Sequence, residues 1–313
     1  MNRREFLASL GAVGSLGVLA GCPGTDSPPE TSVGKTERKK TGVNGASIPV
    51  TYADRFGTVV NITSAGAETG VSKPINSALE DVAGDDTLVY LPPGRYRMDE
   101  AWSQMEFENF GIYGPDATLV PPSGYDDDLF VLGNQRSARR LLLDGLTFDV
   151  SATGTGPRIV HATVADGLLV RDVSVTGLQD TGRGLTRFDV TDPDGRGQVQ
   201  RLELPDGGAP NGRATGCLVG PQSEGRIAFH DCTIVGFPDN GLYASPSPGI
   251  VDVYGGRYAN NGIASVRVSG GGVVSGVHVV CDESRDGVEN MRGIRLRGAV
   301  GQSCGTAESR SRR

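Results

Sequence analysis

The sequence predicts an all-β solenoid of short stacked strands, about seven coils long, on three observations. A six-residue pattern (apolar, any, small or polar, apolar, any, apolar) recurs six times between Leu143 and Val279. A second ladder of apolar residues keeps the same irregular phase. Glycine makes up 47 of the 313 residues, about twice the usual share, as expected where tight corners need positive φ.

The pattern starts at Leu143, Val170, Val199, Phe229, Val253 and Val274, and its third positions are 21 to 30 residues apart. A repeat of that length with period-2 apolar positions marks a solenoid of short strands. The second ladder reads Leu129, Ile159, Leu185, Cys217, Leu242, Ile263 and Ile294. A β-sandwich would also space strands regularly, but it gives two ladders no reason to share one phase. Gly, Asp, Asn and Pro between the ladders supply the turns. The segment 191–212, rich in Asp, Gly and Pro, is expected to bulge out as a loop.

Upstream, Ile75, Ala78, Leu79 and Val82 fall at i, i+3, i+4 and i+7, an amphipathic helix suited to cover the open end of the core. A strand, a Pro92-Pro93-Gly94 turn and another strand follow. This run, from Val59 to Arg97, resembles the amino-terminal signature of the pectate-lyase-like right-handed parallel β-helix superfamily. The resemblance spans residues 48–298 and implies a right-handed parallel β-helix with an N-terminal capping helix. It implies little about activity, because the superfamily includes lyases, hydrolases, epimerases, tailspikes and adhesins.

Residues 1–22 read as a targeting signal: a twin-arginine pair, Arg3-Arg4, an apolar stretch too short to span a membrane, and a lipobox-like Leu19-Ala20-Gly21-Cys22. Cys22 is the expected lipidation site. Residues 23–46 read as a flexible tether, 47–300 as the solenoid and 301–313 as a disordered tail, with the chain cut short or its last coil covered by a partner. The expected location is the outer face of the cell membrane, through a lipid anchor. Residues 47–300 hold 32 acidic and 21 basic residues, with Lys73 the only lysine, a balance that suits a salty exterior and argues against nucleic acid. Asn61-Ile62-Thr63 forms an N-glycosylation sequon. Cys217 and Cys232 read as core residues.

Candidate chemistry lies beside the second ladder. Gly177 to Gly182 aligns with Gly236 to Gly241, and Asn260-Asn261-Gly262 follows, so that Asp239 is expected to stack on Asn260. Asp239, Asp180 and Arg295 are the candidate catalytic residues, and Tyr243, Asn261 and Arg267 the candidate substrate contacts. In this superfamily such a sheet commonly carries the substrate groove. There arginine would hold uronate carboxylates with its planar fork, and tyrosine would stack on a sugar. The resemblance therefore implies a surface protein that binds and cleaves acidic polysaccharide, as lyase or hydrolase. The other reading is a non-catalytic, adhesin-like glycan-binding solenoid. A Gly-His-Gly hydrolase segment is absent, and Asp180 and Asp239, two coils apart, sit at the outer limit of an inverting carboxylate pair. No metal site is expected from spacing, and calcium is the one ion the resemblance leaves open. Asp126-Asp127-Asp128 reads as a solvated corner, and His161, His230 and His278 fall on separate rungs with no visible partners.

Overall fold

The computed structural model describes residues 39–41, 48–210, 212–283, 291–298 and 308–311. Residues 1–38, which include the expected signal, Cys22 and most of the expected tether, lie outside that set. The described chain is a parallel β-helix whose strands form three walls. The first and second walls share one 17-stranded sheet, because Glu108–Val120 and Arg139–Asp149 are long enough to run round the corner between them. The third wall is a separate sheet of eight strands, one more coil than the sequence suggests.

The six-residue pattern is that corner. Its first position pairs in unbroken parallel register, Leu143 to Val170, Val199, Phe229, Val253 and Val274, down the first wall. Its last position does the same on the second wall, with Phe148 on Val175 and Leu204 on Ile234, Tyr258 and Val279. All of these side chains are buried. The third position is left-handed in every repeat: Gly145, Asp172, Arg201, Asp231, Gly255 and Gly276 all have φ between 50° and 76°. That conformation turns the strand in one residue and explains the small or polar choice. Arg201 is the exception in size, and its guanidinium grips Asp172 of the preceding corner through Nε and Nη2 at 2.6 and 2.8 Å.

The N-terminal end is closed as expected. The helix Asn76–Val82 buries Ala78 and Leu79, with Ile75 just before it, against the first coil. A second cover was not foreseen. Residues 48–56, with a short helix at Val50–Ala53, lie across the outside of the first wall. There Tyr52 and Phe56 bury the outward residues Val59, Leu88, Leu142 and Leu169. Gly111 makes room for this cover, since a Cβ there would stand 2.8 Å from the Phe56 ring.

Three expectations are corrected. The third-wall ladder runs Phe130, Val160, Thr186, Cys217, Leu242, Val266 and Ile294, so Leu129, Ile159, Leu185 and Ile263 do not belong to it. Ile263 is 38% exposed, whereas Thr186 is fully buried because its hydroxyl donates to the Gly216 carbonyl at 3.0 Å. The segment 191–212 is not one loop, because Arg196–Gln200 and Glu203–Leu204 continue the first two walls inside it. In the tail, Glu308–Ser311 forms a strand in parallel register with His278–Cys281. Among the described residues no strand follows Ile294–Arg297 on the third wall, and the inward-facing Leu296 is 41% exposed. Cys217 and Cys232 are buried, free thiols whose ionisation burial pushes up, Cys232 to about 12. No helix among the described residues is long and apolar enough to cross a membrane.

Candidate functional site

Successive side chains of a strand point to opposite faces, so each inward rung of the third wall has an outward neighbour. The outward neighbours form one column in direct register: Ser103, Val131, His161, Arg187, Leu218, Tyr243, Arg267 and Arg295. On a chain with net charge −7, this column and its flanks gather arginine. Its two ends differ in how that charge is compensated.

At the upstream end, Asp128 opens the strand Asp128–Leu132 and is the meeting point of two arginines and a histidine. Its Oδ1 accepts from Arg183 Nη1 at 2.9 Å and lies 3.7 Å from Arg158 Nη1, while its Oδ2 is 3.4 Å from His161 Nδ1. Burial alone would raise the Asp128 carboxyl, but His161, Arg158 and Arg183 outweigh it and hold the acid below its usual range. Burial lowers the Arg158 guanidinium, with Arg187 and Arg183 adding to the effect against the pull of Asp128. One coil on, Arg187 donates Nε to the buried Asp189 at 2.7 Å and Nη2 to Gln222. Asp189 in turn accepts from the Gly220 backbone at 2.6 Å. Beside this network lies a depression of about 250 Å³, lined by Met105, Val131, Asn134, Gln135, His161 and Gln222 among others.

At the downstream end the arginines meet no acid among the described residues. Arg267 stacks its guanidinium 4.6 Å from the centroid of the Tyr243 ring, and its Nε is buried with no hydrogen-bond partner. Arg295 is next in the column and exposed, and Arg297, two residues on, is exposed as well. Among the described residues neither Arg267 nor Arg295 faces a carboxylate.

The predicted residues therefore divide. Tyr243, Arg267 and Arg295 come together on one face. Asp180 and Asp239 sit at the corner that leads into the third wall, two coils apart, each engaged locally. Asp180 is exposed and accepts from the Gly154 backbone at 2.9 Å. Asp239 accepts from the Thr215 hydroxyl at 2.7 Å and from the Asn240 amide at 2.9 Å. Asp239 does not stack on Asn260: the Ile263 amide donates to the Asp239 carbonyl, which puts Ile263 in that place. Asn261 is fully buried, accepting from the Phe237 backbone and donating to the Ile234 carbonyl, both at 3.0 Å, so it pins the corner and meets no ligand. Asp128 is not a solvated corner either, since it is held by two arginines and a histidine. Asp128 and Asp189 are taken up by arginine, and among the described residues no group of three or more His, Cys, Asp or Glu could hold a metal ion. Asn61, the sequon residue, caps a 3-10 turn by accepting from Thr63.

No protein-family profile matches the chain, and no curated protein matches it in sequence. Among solved structures it is similar to PfbA, a surface adhesin of Streptococcus pneumoniae. The match has 10% identity and a TM-score of 0.55, over 82% of this chain and 81% of that one. This is a parallel β-helix likeness of fold alone. The A-modules of two Azotobacter vinelandii mannuronan C-5 epimerases, AlgE6 and AlgE4, also match. Their identities are 15% and 11%, with TM-scores of 0.36 and 0.27. The matches cover 75% and 80% of this chain and 74% and 97% of theirs. At those scores the shapes carry no argument about the site.

Proposed function

We propose that the third wall binds an acidic polysaccharide and that the protein presents it outside the cell. The observation that carries this reading is Arg267, stacked on Tyr243 with a buried Nε that no protein group satisfies. A buried donor without an acceptor is costly, and a carboxylate on a sugar ring against Tyr243 would supply one. Arg295 lies about 4.8 Å further along the column and offers a second fork. A chain that repeats carboxylates is the ligand such a row selects.

Binding of the purified protein to polyuronates, with a neutral glucan as control, tests this. The expected outcome is retention on the polyuronates only, weakening as salt rises. Arg267→Ala and Arg295→Ala each lose about tenfold in affinity, equivalent to about 1.4 kcal/mol. Equal binding to neutral and acidic glycans would remove the basis of the proposal.

We further propose that the chain is exported by its twin-arginine signal and held at the membrane by lipid on Cys22, with 23–46 as a tether. Cys22→Ser should release the protein from the membrane fraction into the medium. Retention of that variant on membranes would contradict the anchor.

A further inference from the structure

The two ends of the solenoid carry opposite charge. Upstream, the helix Asn76–Val82 turns Ala78 and Leu79 into the core and leaves Glu80 and Asp81 exposed on its outer face. Glu68, in the turn before the helix, and Asp85 and Asp86, just after it, are exposed as well. Among the described residues none of these five carboxylates pairs with a cation, and Lys73 is the one base within residues 62–86. Lys39–Thr41 adds a strand beside Thr58–Asn61 on the first-wall side of this end, which leaves the helix and its flanking turns as the acidic face. Downstream the sign reverses, and residues 284–313 hold seven arginines against three acids. Arg292, Arg295 and Arg297 are exposed on or beside Ile294–Arg297, the last described strand of the third wall, and meet no acid among the described residues. Among them Leu296 is an exposed apolar spot, and Val71, 48% exposed in the turn before the capping helix, is its counterpart at the other end.

We propose that copies of this chain associate head to tail, with the arginine-rich downstream end of one against the acidic cap of the next. Both ends have the cross-section that the same three walls impose, so one end face matches another in size. Charge then chooses among the pairings. Two downstream ends repel each other, as do two capped ends, and only the mixed pairing brings opposite charges together. Arginine on the last strand therefore serves two purposes. It keeps that edge from pairing with the same edge of another copy, the hazard of an exposed strand, and it attracts the cap. A single exposed ion pair contributes little, but several act together over a contact that also covers Leu296 and Val71. A contact between two different patches need not close on itself, and along one axis it grows into an open row.

The test is the mass of the full chain in solution, by sedimentation or light scattering, across concentration and salt. At about 0.1 M salt the mean mass should climb past that of two copies as concentration rises. At about 1 M salt, where the Debye length falls from about 10 Å to about 3 Å, it should drop back towards one copy. Two double variants then mark the ends. Arg292→Glu with Arg297→Glu spoils the downstream end, and Glu80→Arg with Asp81→Arg spoils the cap. All four positions are exposed, and a melting temperature like that of wild type shows that the fold is kept. Each double variant alone should lose about tenfold in association, the sum expected from reversing two exposed charges. Mixed one to one, the two variants still offer one intact cap and one intact arginine end. Pairs of unlike copies should then form at wild-type strength, although neither variant associates alone. Wild type that stays a single copy at every concentration, wild type that stops at two copies, single variants that associate as wild type does, or mixed variants that stay apart would each overturn the proposal.

Discussion

The first and third walls both carry a continuous outward column of polar and aromatic residues, and only one of them is closed. On the first wall the column runs Tyr90, Tyr113, Asp144, Arg171, Gln200, His230 and Tyr254. Residues 48–56 lie over its upstream half. There Tyr52 donates its hydroxyl to Asp144 Oδ2 at 2.6 Å, and Arg171 Nη2 donates to the same oxygen at 2.7 Å. The Arg171 guanidinium also sits 5.4 Å from the Tyr52 ring centroid, and Tyr52 packs edge-on to Tyr113. The charge there is satisfied from within the chain, with Asp144 shut away from water and Arg171 partly exposed. On the third wall the downstream arginines face outward without a carboxylate among the described residues. The contrast separates two uses of one geometry, in which an outward column sealed by its own chain holds the fold and an outward column left short of partners is free to hold a ligand.

The strongest way to break that comparison is at Asp144. Its side chain is 3% exposed and joins the cover to the barrel through two partners. Asp144→Ala would leave Arg171 without its counter-charge and Tyr52 without its acceptor. Removing one member of a buried ion pair costs roughly 3–5 kcal/mol, so the urea midpoint should fall sharply. Polyuronate binding by the fraction still folded should not change. A loss below about 1 kcal/mol, the level of a surface pair, would mean that the first wall is no more sealed than the third.

The inward ladders of the first two walls were legible because one apolar residue per coil recurs on each side of a one-residue corner. The third wall was harder to read, because Thr186 places a polar residue inward and Asn261-Gly262 looks like a strand start when it is still the corner. Tyr243, Arg267 and Arg295 were found in spite of this. Tyr243 and Arg295 follow the ladder residues Leu242 and Ile294 by one, an offset that gives the outward face. Arg267 follows Val266 and lies only close by when Ile263 names that rung. Asp128 and His161 were not found, because their meeting depends on the register between Asp128–Leu132 and Arg158–Val164. Composition showed only an acidic run and a lone histidine. The N-terminal cover was illegible for a related reason: nothing local in Tyr52 or Phe56 points to Asp144 or Gly111, whose positions are set by the coil.

A smaller effect sharpens the comparison from the third wall. Asp128 is 16% exposed, so its network is worth less than that of Asp144, and Asp128→Asn should cost about 1 kcal/mol at neutral pH. The dependence on acid fixes the cause. The folded carboxyl is held below its unfolded value near 3.9. Its contribution is therefore complete above that unfolded value and is lost as the pH falls through the folded one. Stability of wild type minus Asp128→Asn should stay constant from neutrality to about pH 5 and then close towards zero below pH 4. Replacing His161 by Gln in both proteins leaves the Asp128 carboxyl, facing Arg158 and Arg183 with Asp127 nearby, as the titrating difference between them. Other lowered acids, such as Asp149 and Asp172, titrate in both proteins and cancel. A gap that persists unchanged at pH 3 would show that Asp128 acts through shape and hydrogen bonding and not through charge, and the third wall would then lose its claim to be the electrostatically poised face.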